Sequence, residues 1–157
     1  LPIIEQTLGK LLLEHKLTIG TVESATGGLT AARIISVPGA SVYCMGGIIA
    51  YHNEIKMSLA GVNYATLLAY GAVSSQVAEQ MATGGRKALG VDICLSDTGI
   101  AGPDGGTEDK PVGLYYIGLA TPKGIWNRKF VFKGERNQTR EAAVIASLEW
   151  VVEILSR

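Results

Sequence analysis

Leu17-Thr18-Ile19-Gly20-Thr21-Val22, followed at once by Glu23-Ser24-Ala25-Thr26-Gly27-Gly28, is the stretch that decides how this chain folds. The first six residues mix β-branched and apolar side chains, as a short buried strand does. Residues 29–37 have a helical pattern, so Ser24 stands in a strand-to-helix turn with two glycines opening the helix. Such a turn holds a hydroxyl clear of the sheet. At a helix start, free backbone N–H groups and the positive end of the helix dipole can stabilise an oxyanion or bind a phosphate. The same residues also suit plain capping, with Ser24 or Thr26 accepting from the first N–H groups and the glycines easing the turn.

Outward from this turn the chain alternates helices and strands. Ile3, Ile4, Leu8, Leu11 and Leu12 recur at helical spacing and predict a first helix running to about His15. The helix after the serine turn is expected to end near Pro38-Gly39. Residues 42–51 read as a strand in which Gly46-Gly47 marks a bulge or a close backbone approach. Asn53 is expected to cap a short helical turn carrying Lys56. Ser74 or Ser75 starts a longer helix that Gly90 stops, and residues 91–96 form a third strand. Residues 112–120 and 125–132 predict a hairpin over Thr121-Pro122-Lys123-Gly124. Asn137 is expected to cap the last helix, with Ala142, Val144, Ile145, Leu148, Val151, Val152 and Leu155 on its inner face. Strands separated by helices and then a hairpin predict an α/β fold, a three-layer α/β/α sandwich with a mixed sheet.

Composition narrows the class of function. At 157 residues the chain reads as one domain, residues 1–157, with a real core. Acidic and basic residues balance at 14 each, so no strong field is offered to nucleic acid or an anionic membrane, and a small neutral or zwitterionic ligand fits better. No apolar stretch approaches a membrane span, and the N-terminal spacing is that of an amphipathic helix, which predicts a cytoplasmic protein. Cys44 and Cys94 lie far apart in apolar segments and read as reduced thiols, with no clustered ligand set for a metal.

Three further segments carry chemistry. In Tyr51-His52-Asn53-Glu54-Ile55-Lys56, a strand-to-helix junction places Tyr51 and Lys56 where both can face one cleft. A lysine is most often solvated surface, but one whose pKa is lowered by burial can take a proton from serine, and Tyr51 could relay it. His52 follows Tyr51 in an extended stretch and points to the opposite face, so a Ser-His-Asp arrangement is the weaker proposal. The run Asp97-Thr98-Gly99-Ile100-Ala101-Gly102-Pro103-Asp104-Gly105-Gly106-Thr107 follows a strand and offers bare backbone N–H groups, without the spacing of a Walker A or dinucleotide loop. Arg140 lies in the first turn of the last helix, where the dipole disfavours a cation; a bound anion, or pairing with Glu141 or Glu135, would account for it.

Together, residues 23–28, Val37-Pro38-Gly39-Ala40-Ser41, residues 47–56, Tyr70-Gly71-Ala72-Val73-Ser74, residues 98–103, Gly105-Gly106-Thr107 and Lys110-Pro111-Val112-Gly113 resemble the C-terminal domain of the competence-damage-inducible protein CinA. The resemblance runs in order from Leu17 to the last helix. It implies a fold similar to the anticodon-binding domain. It also implies the activity of the stand-alone members of the family, which hydrolyse nicotinamide mononucleotide to nicotinic acid mononucleotide and ammonia without a cofactor. Carried over by position, the family's motif serine, tyrosine, lysine, loop threonine and late arginine fall on Ser24, Tyr51, Lys56, Thr98 and Arg140; Ser24, Lys56 and Tyr51 are then the expected catalytic groups, and Thr26, Gly27, Gly28, Thr98, Gly99, Gly102 and Arg140 the expected substrate-binding residues. The partner implied is a small pyridine nucleotide, and a homo-oligomer is expected. The family pattern usually has cysteine where this chain has Ala25, and the larger N-terminal domain of full-length members has no counterpart in these residues. The competing readings are a pyridine-nucleotide-binding module without turnover and an oligomeric interaction domain.

Overall fold

The computed structural model describes residues 3–157, and its organising element is β1 (Ile19–Glu23), all five residues of which are buried. β1 pairs in parallel with β2 (Cys44–Ile49) on one side and β3 (Ile93–Gly99) on the other. β3 then pairs antiparallel with β4 (Leu114–Thr121), which turns into β5 (Gly124–Val131), giving the order β2-β1-β3-β4-β5. Parallel neighbours need crossovers. α2 (Leu29–Ile35) links β1 to β2, while α3 (Asn53–Ser58), α4 (Tyr64–Tyr70) and α5 (Ser75–Leu89) link β2 to β3.

Alternation along the strands sorts the core into two layers. Ile19, Ile93, Leu95, Ile117 and Leu119 pack beneath α1 (Ile4–His15), α2 and α6 (Arg136–Leu155), through Leu8, Leu12, Ile34, Val144 and Leu148. Val22 and Cys94 face the other way and pack on Val77 and Met81 of α5. The fold is therefore a three-layer α/β sandwich with a mixed five-stranded sheet. Both cysteines are free, and burial pushes the Cys94 thiol up to about 12, where it is an inert core group. Among the described residues no helix is long and apolar enough to cross a membrane.

Several expected boundaries move, each for a local reason. α2 stops at Ile35, and Ala40–Val42 form a 3₁₀ turn where residue 42 was expected to open a strand. The glycine pair in β2 does mark an irregularity: the register skips Met45 opposite Ile19 and Gly20, and a Cβ on Gly47 would stand 2.5 Å from Thr21 Oγ1. Asn53 is the first residue of α3, whose cap is His52, its Nδ1 accepting from the Glu54 N–H at 3.1 Å. α6 begins at Arg136, ahead of Asn137, and Gln138 reaches back to the Glu135 N–H at 2.8 Å. Ile145 is 39% exposed, and buried Trp150 joins the inner face. α4 has no buried residue, so no inward apolar face announced it in the sequence. β3 runs on to Gly99, which makes Asp97 and Thr98 strand residues with opposed side chains.

Gly84 on α5 lies against the backbone just after α3. A Cβ there would stand 1.7 Å from the Ala60 carbonyl oxygen, and neither partner is a flexible side chain. Gly84→Ala is expected to destabilise the fold by about 1–3 kcal/mol through overpacking. Urea unfolding checks this, and an unchanged midpoint would contradict the close approach.

Candidate active site

Strand alternation places Thr21 and Glu23 on the same face as Ile19, and Asp97 on the same face as Ile93 and Leu95. The parallel register pairs Val22 with Ser96, so Glu23 and Asp97 stand side by side at the C-terminal ends of neighbouring strands. Beyond Glu23 the chain leaves the sheet through Ser24 and turns over residues 25–28 into α2. Gly27 and Gly28 have φ of 61° and 106°, which only glycine takes without strain, and a Cβ on Gly27 would sit 3.2 Å from Arg140 Nη2.

The start of α2 is already occupied. Glu23 Oε1 accepts from the N–H groups of Gly28 at 3.1 Å and Thr30 at 2.8 Å and from the Thr26 hydroxyl at 2.6 Å. Its Oε2 accepts from the Ala31 N–H at 3.0 Å and the Thr21 hydroxyl at 2.9 Å. Of the N–H donors that the sequence offered to an oxyanion or phosphate at Gly27-Gly28, that of Gly28 is thus spent on the chain's own carboxylate, and that of Gly27 donates to the Ser24 carbonyl at 3.2 Å. That expectation is corrected: Gly27 and Gly28 shape the turn, and Glu23 takes the anion's place.

Ser24 and Lys56, 32 positions apart, meet at 3.0 Å, the lysine Nζ against the serine Oγ. Lys56 also donates to the Tyr51 carbonyl oxygen at 3.0 Å. Both side chains are sequestered, Ser24 at 7% and Lys56 at 2% exposure. Burial lowers the Lys56 pKa, and the charge of Asp97 opposes the shift. A buried, lowered lysine against a serine hydroxyl is the arrangement that proton abstraction requires.

Behind the pair, fully buried Thr26 sits between two carboxyl groups. Its hydroxyl reaches Glu23 Oε1 and Asp97 Oδ2, and its N–H donates to Asp97 Oδ1 at 3.1 Å. Burial pushes Asp97 up to about 6, against hydrogen bonds from Thr26 and Ser24 and with help from the charge of Glu23.

The remaining expected site residues divide by location. Tyr51 is 64% exposed and its phenol oxygen accepts from Arg136 Nη2 at 3.4 Å, so its ring lies at the rim while its carbonyl meets Lys56. Arg136 also donates to the Gly102 carbonyl at 2.9 Å, which brings the glycine-rich loop to the same rim. Thr98 turns to the α5 side and donates to the Ala72 carbonyl at 2.7 Å. Gly99 closes β3 against the ring of Tyr115, which a Cβ would meet at 2.4 Å. Arg140 clamps the serine turn, donating to the carbonyls of Ala25 at 2.8 Å and Thr26 at 3.2 Å and to Asn137 Oδ1 at 3.0 Å. Neither Glu135 nor Glu141 accounts for it; Glu141 lies 3.4 Å from Arg33. Glu23, Asp97 and Arg136 received no role in the sequence reading. Two acidic residues ending strands of like alternation were the signal available for the first two.

A cavity of about 640 Å³ lies at the other end of the sheet, lined by Leu17, Ile93, Trp126 and Trp150 among others and by none of these groups. Among the described residues no three His, Cys, Asp or Glu side chains cluster to hold a metal ion.

Fold and site together define a three-layer α/β domain with a buried serine–lysine pair at the C-terminal ends of its parallel strands. The model of the CinA C-terminal domain matches residues 2–155, and the chain belongs to that family. It is 47% identical over 154 residues to a competence-damage inducible protein of Clostridium novyi, covering 98% of this chain and 37% of that one. The chain spans little more than a third of the length of the curated relatives it matches. Among solved structures, the competence/damage inducible protein of Agrobacterium tumefaciens superposes with a TM-score of 0.91 at 33% identity, covering 98% of this chain and 96% of that one. A CinA superfamily protein of Klebsiella pneumoniae gives 0.94 at 25% identity with the same coverage.

Glu23→Gln places an amide hydrogen against donors that now meet carboxylate oxygen. The variant is expected to lose about 3 kcal/mol of stability, since hydrogen bonds to a buried charge are broken and donors are left unpaired. Chemical denaturation reads this, and a loss under about 0.5 kcal/mol, the range of an ordinary surface change, would contradict the assignment.

Proposed function

We propose that this domain is an amidohydrolase that converts nicotinamide mononucleotide to nicotinic acid mononucleotide and ammonia, with Ser24 as nucleophile and Lys56 as base. The observation that carries the reading is the 3.0 Å contact between the Lys56 amine and the Ser24 hydroxyl, both buried at a strand-end turn. Membership of the family agrees with it.

In this reading a neutral Lys56 takes the Ser24 proton as Oγ attacks the carboxamide carbon, which the cationic pyridinium makes more electrophilic. The ammonium formed on Lys56 is a cation beside the developing negative charge. It then gives its proton to the departing nitrogen, ammonia leaves, and an ester joins Ser24 to the nicotinoyl group. Water attacks that ester with Lys56 again as base, which releases the acid and restores the hydroxyl. Arg140 orients the turn through the Ala25 and Thr26 carbonyls. Exposed Arg136, at the rim beside Tyr51 and Gly102, is the cation suited to the phosphate. The reading carries a cytoplasmic location and a small-molecule partner.

A second reading is an interaction domain that assembles with copies of itself. It is favoured by α4, whose Tyr64, Leu68 and Tyr70 are all exposed. Ammonia release from the mononucleotide separates the two.

Ser24→Ala is expected to lose turnover by orders of magnitude with the fold intact, because a covalent nucleophile is removed. Ammonia release near the unaltered level would exclude the acyl-enzyme. Activity should rise through an apparent pKa below that of free lysine, as Lys56 becomes neutral, and Lys56→Met should lose activity far more than stability. A pH–rate profile with no such limb would count against Lys56 as base. Free nicotinamide should be a far poorer substrate than the mononucleotide in kcat as well as KM, and Arg136→Ala should narrow that gap. Equal efficiency on both compounds would remove the phosphate contact and favour a general amidase.

A further inference from the structure

Thr26 has one hydroxyl hydrogen and two carboxyl groups within its reach. Glu23 is the more heavily bonded of the two, since its two oxygens already receive the Thr21 hydroxyl and the N–H groups of Gly28, Thr30 and Ala31. A carboxylate offers about four lone-pair sites, and a covalently held proton would take one that those four donors already use, so of the two carboxyl groups Glu23 is the one kept as carboxylate, with the Thr26 hydroxyl sharing Oε1. With that hydrogen directed at Glu23, the approach of Thr26 Oγ1 to Asp97 Oδ2 is acceptor against acceptor unless Asp97 carries a hydrogen. The order Asp97 O–H to Thr26 Oγ1, and Thr26 O–H to Glu23 Oε1, gives each of the two close contacts one hydrogen with one negative charge. Two negative charges across one buried hydroxyl would also repel each other.

The charged groups around Asp97 come from four elements. β1 supplies Glu23, α3 supplies Lys56 and β4 supplies the buried phenol of Tyr115, on which α6 in turn brings Arg140 and Arg136 to bear. The charged residues of α5 are held elsewhere, Glu79 by Asn127 and Arg86 by the Asp92 carbonyl. Lys56 is the buried cation on which the charge of Asp97 acts, and that charge favours its ammonium form.

We propose that Asp97 is a positioning residue of this site: it holds a proton that it donates to Thr26, and the charge it does or does not carry decides whether Lys56 is the neutral amine the reaction needs. This rests on the reading of Ser24 and Lys56 as nucleophile and base. Protonated Asp97 leaves burial alone to act on Lys56 and frees the amine to accept the Ser24 proton. Ionised Asp97 favours the ammonium form of Lys56, which has no lone pair for that proton, so the neutral amine is reached only at a higher pH.

Asp97→Asn is a fixed copy of the acid form, with its amide N–H facing Thr26 Oγ1 and its oxygen still accepting from the Thr26 N–H. NMR of protein carrying 13C at the lysine Cε, with the Lys56 signal identified by its loss in Lys56→Met, reads the amine directly. Lys56 is expected to titrate about one pH unit lower in Asp97→Asn, a roughly tenfold change in its dissociation constant. Titration at the same or a higher pH would overturn the proposal. A second measurement compares unfolding of the two proteins across pH. A carboxyl raised from 3.8 to about 6 in the folded protein binds a proton that the unfolded chain has released. Its contribution to stability is therefore full below about pH 4 and lost as pH rises through about 6. The unaltered protein should lose stability relative to Asp97→Asn over that window, and a difference independent of pH would overturn the proposal.

Neither measurement needs a substrate. If both give the expected result and no amide is hydrolysed, the amidase reading fails and the Asp97 assignment stands. Should Asp97→Asn not fold, infrared spectra of the unaltered protein with 13C-labelled aspartate replace it. A carboxylic-acid carbonyl band that shifts with the label and persists above pH 5 supports the proposal, and its absence overturns it.

Discussion

The Glu23 carboxylate at the start of α2 is the interaction on which the site depends. Three amides and two hydroxyls converge on one buried side chain, and the positive end of the helix faces it. This contact fixes the angle at which the chain leaves β1, and so the position of Ser24 one residue later. Thr26 is drawn into the same cluster by its hydroxyl, and Arg140 holds the turn from outside through two carbonyls. The turn is thus tied to β1, β3 and α6 at once. A serine on so short a loop has little freedom to drift from Lys56.

The energetics of the cluster oppose each other and thereby set its chemistry. Burial disfavours charge on Lys56 and on Asp97, so each is moved toward its neutral form. The charge of one would stabilise the charge of the other, and their titrations are coupled. The donors on Glu23, by contrast, are backbone amides and hydroxyls held in place by the fold. One carboxyl therefore builds the turn, and its neighbour acts on Lys56.

The fold was legible because the β1 pattern, the capped α5 and the hairpin are local signals, and Gly46-Gly47 announced a close approach that the register bears out. Ser24 and Lys56 were legible as residue types at strand-to-helix turns, although only the fold could bring them within 3.0 Å. The filling of the α2 terminus was not legible, since whether a helix start is free depends on a side chain turned back from the preceding strand. Arg140 drew attention by its unfavourable dipole position, but carbonyl oxygens across the fold, invisible to any spacing rule, account for it. Thr98, read as a loop residue, lies within β3 because the strand extends past Ser96, and its face is opposite to that of Asp97, so its hydroxyl meets the Ala72 carbonyl.

The covalent step tests the account most directly. Rapid acid quench of the protein during turnover of nicotinamide mononucleotide, followed by mass mapping of its peptides, should find the nicotinoyl mononucleotide group on Ser24, with ammonia lost. The group on another residue, or no adduct at any quench time while ammonia is released, would contradict it.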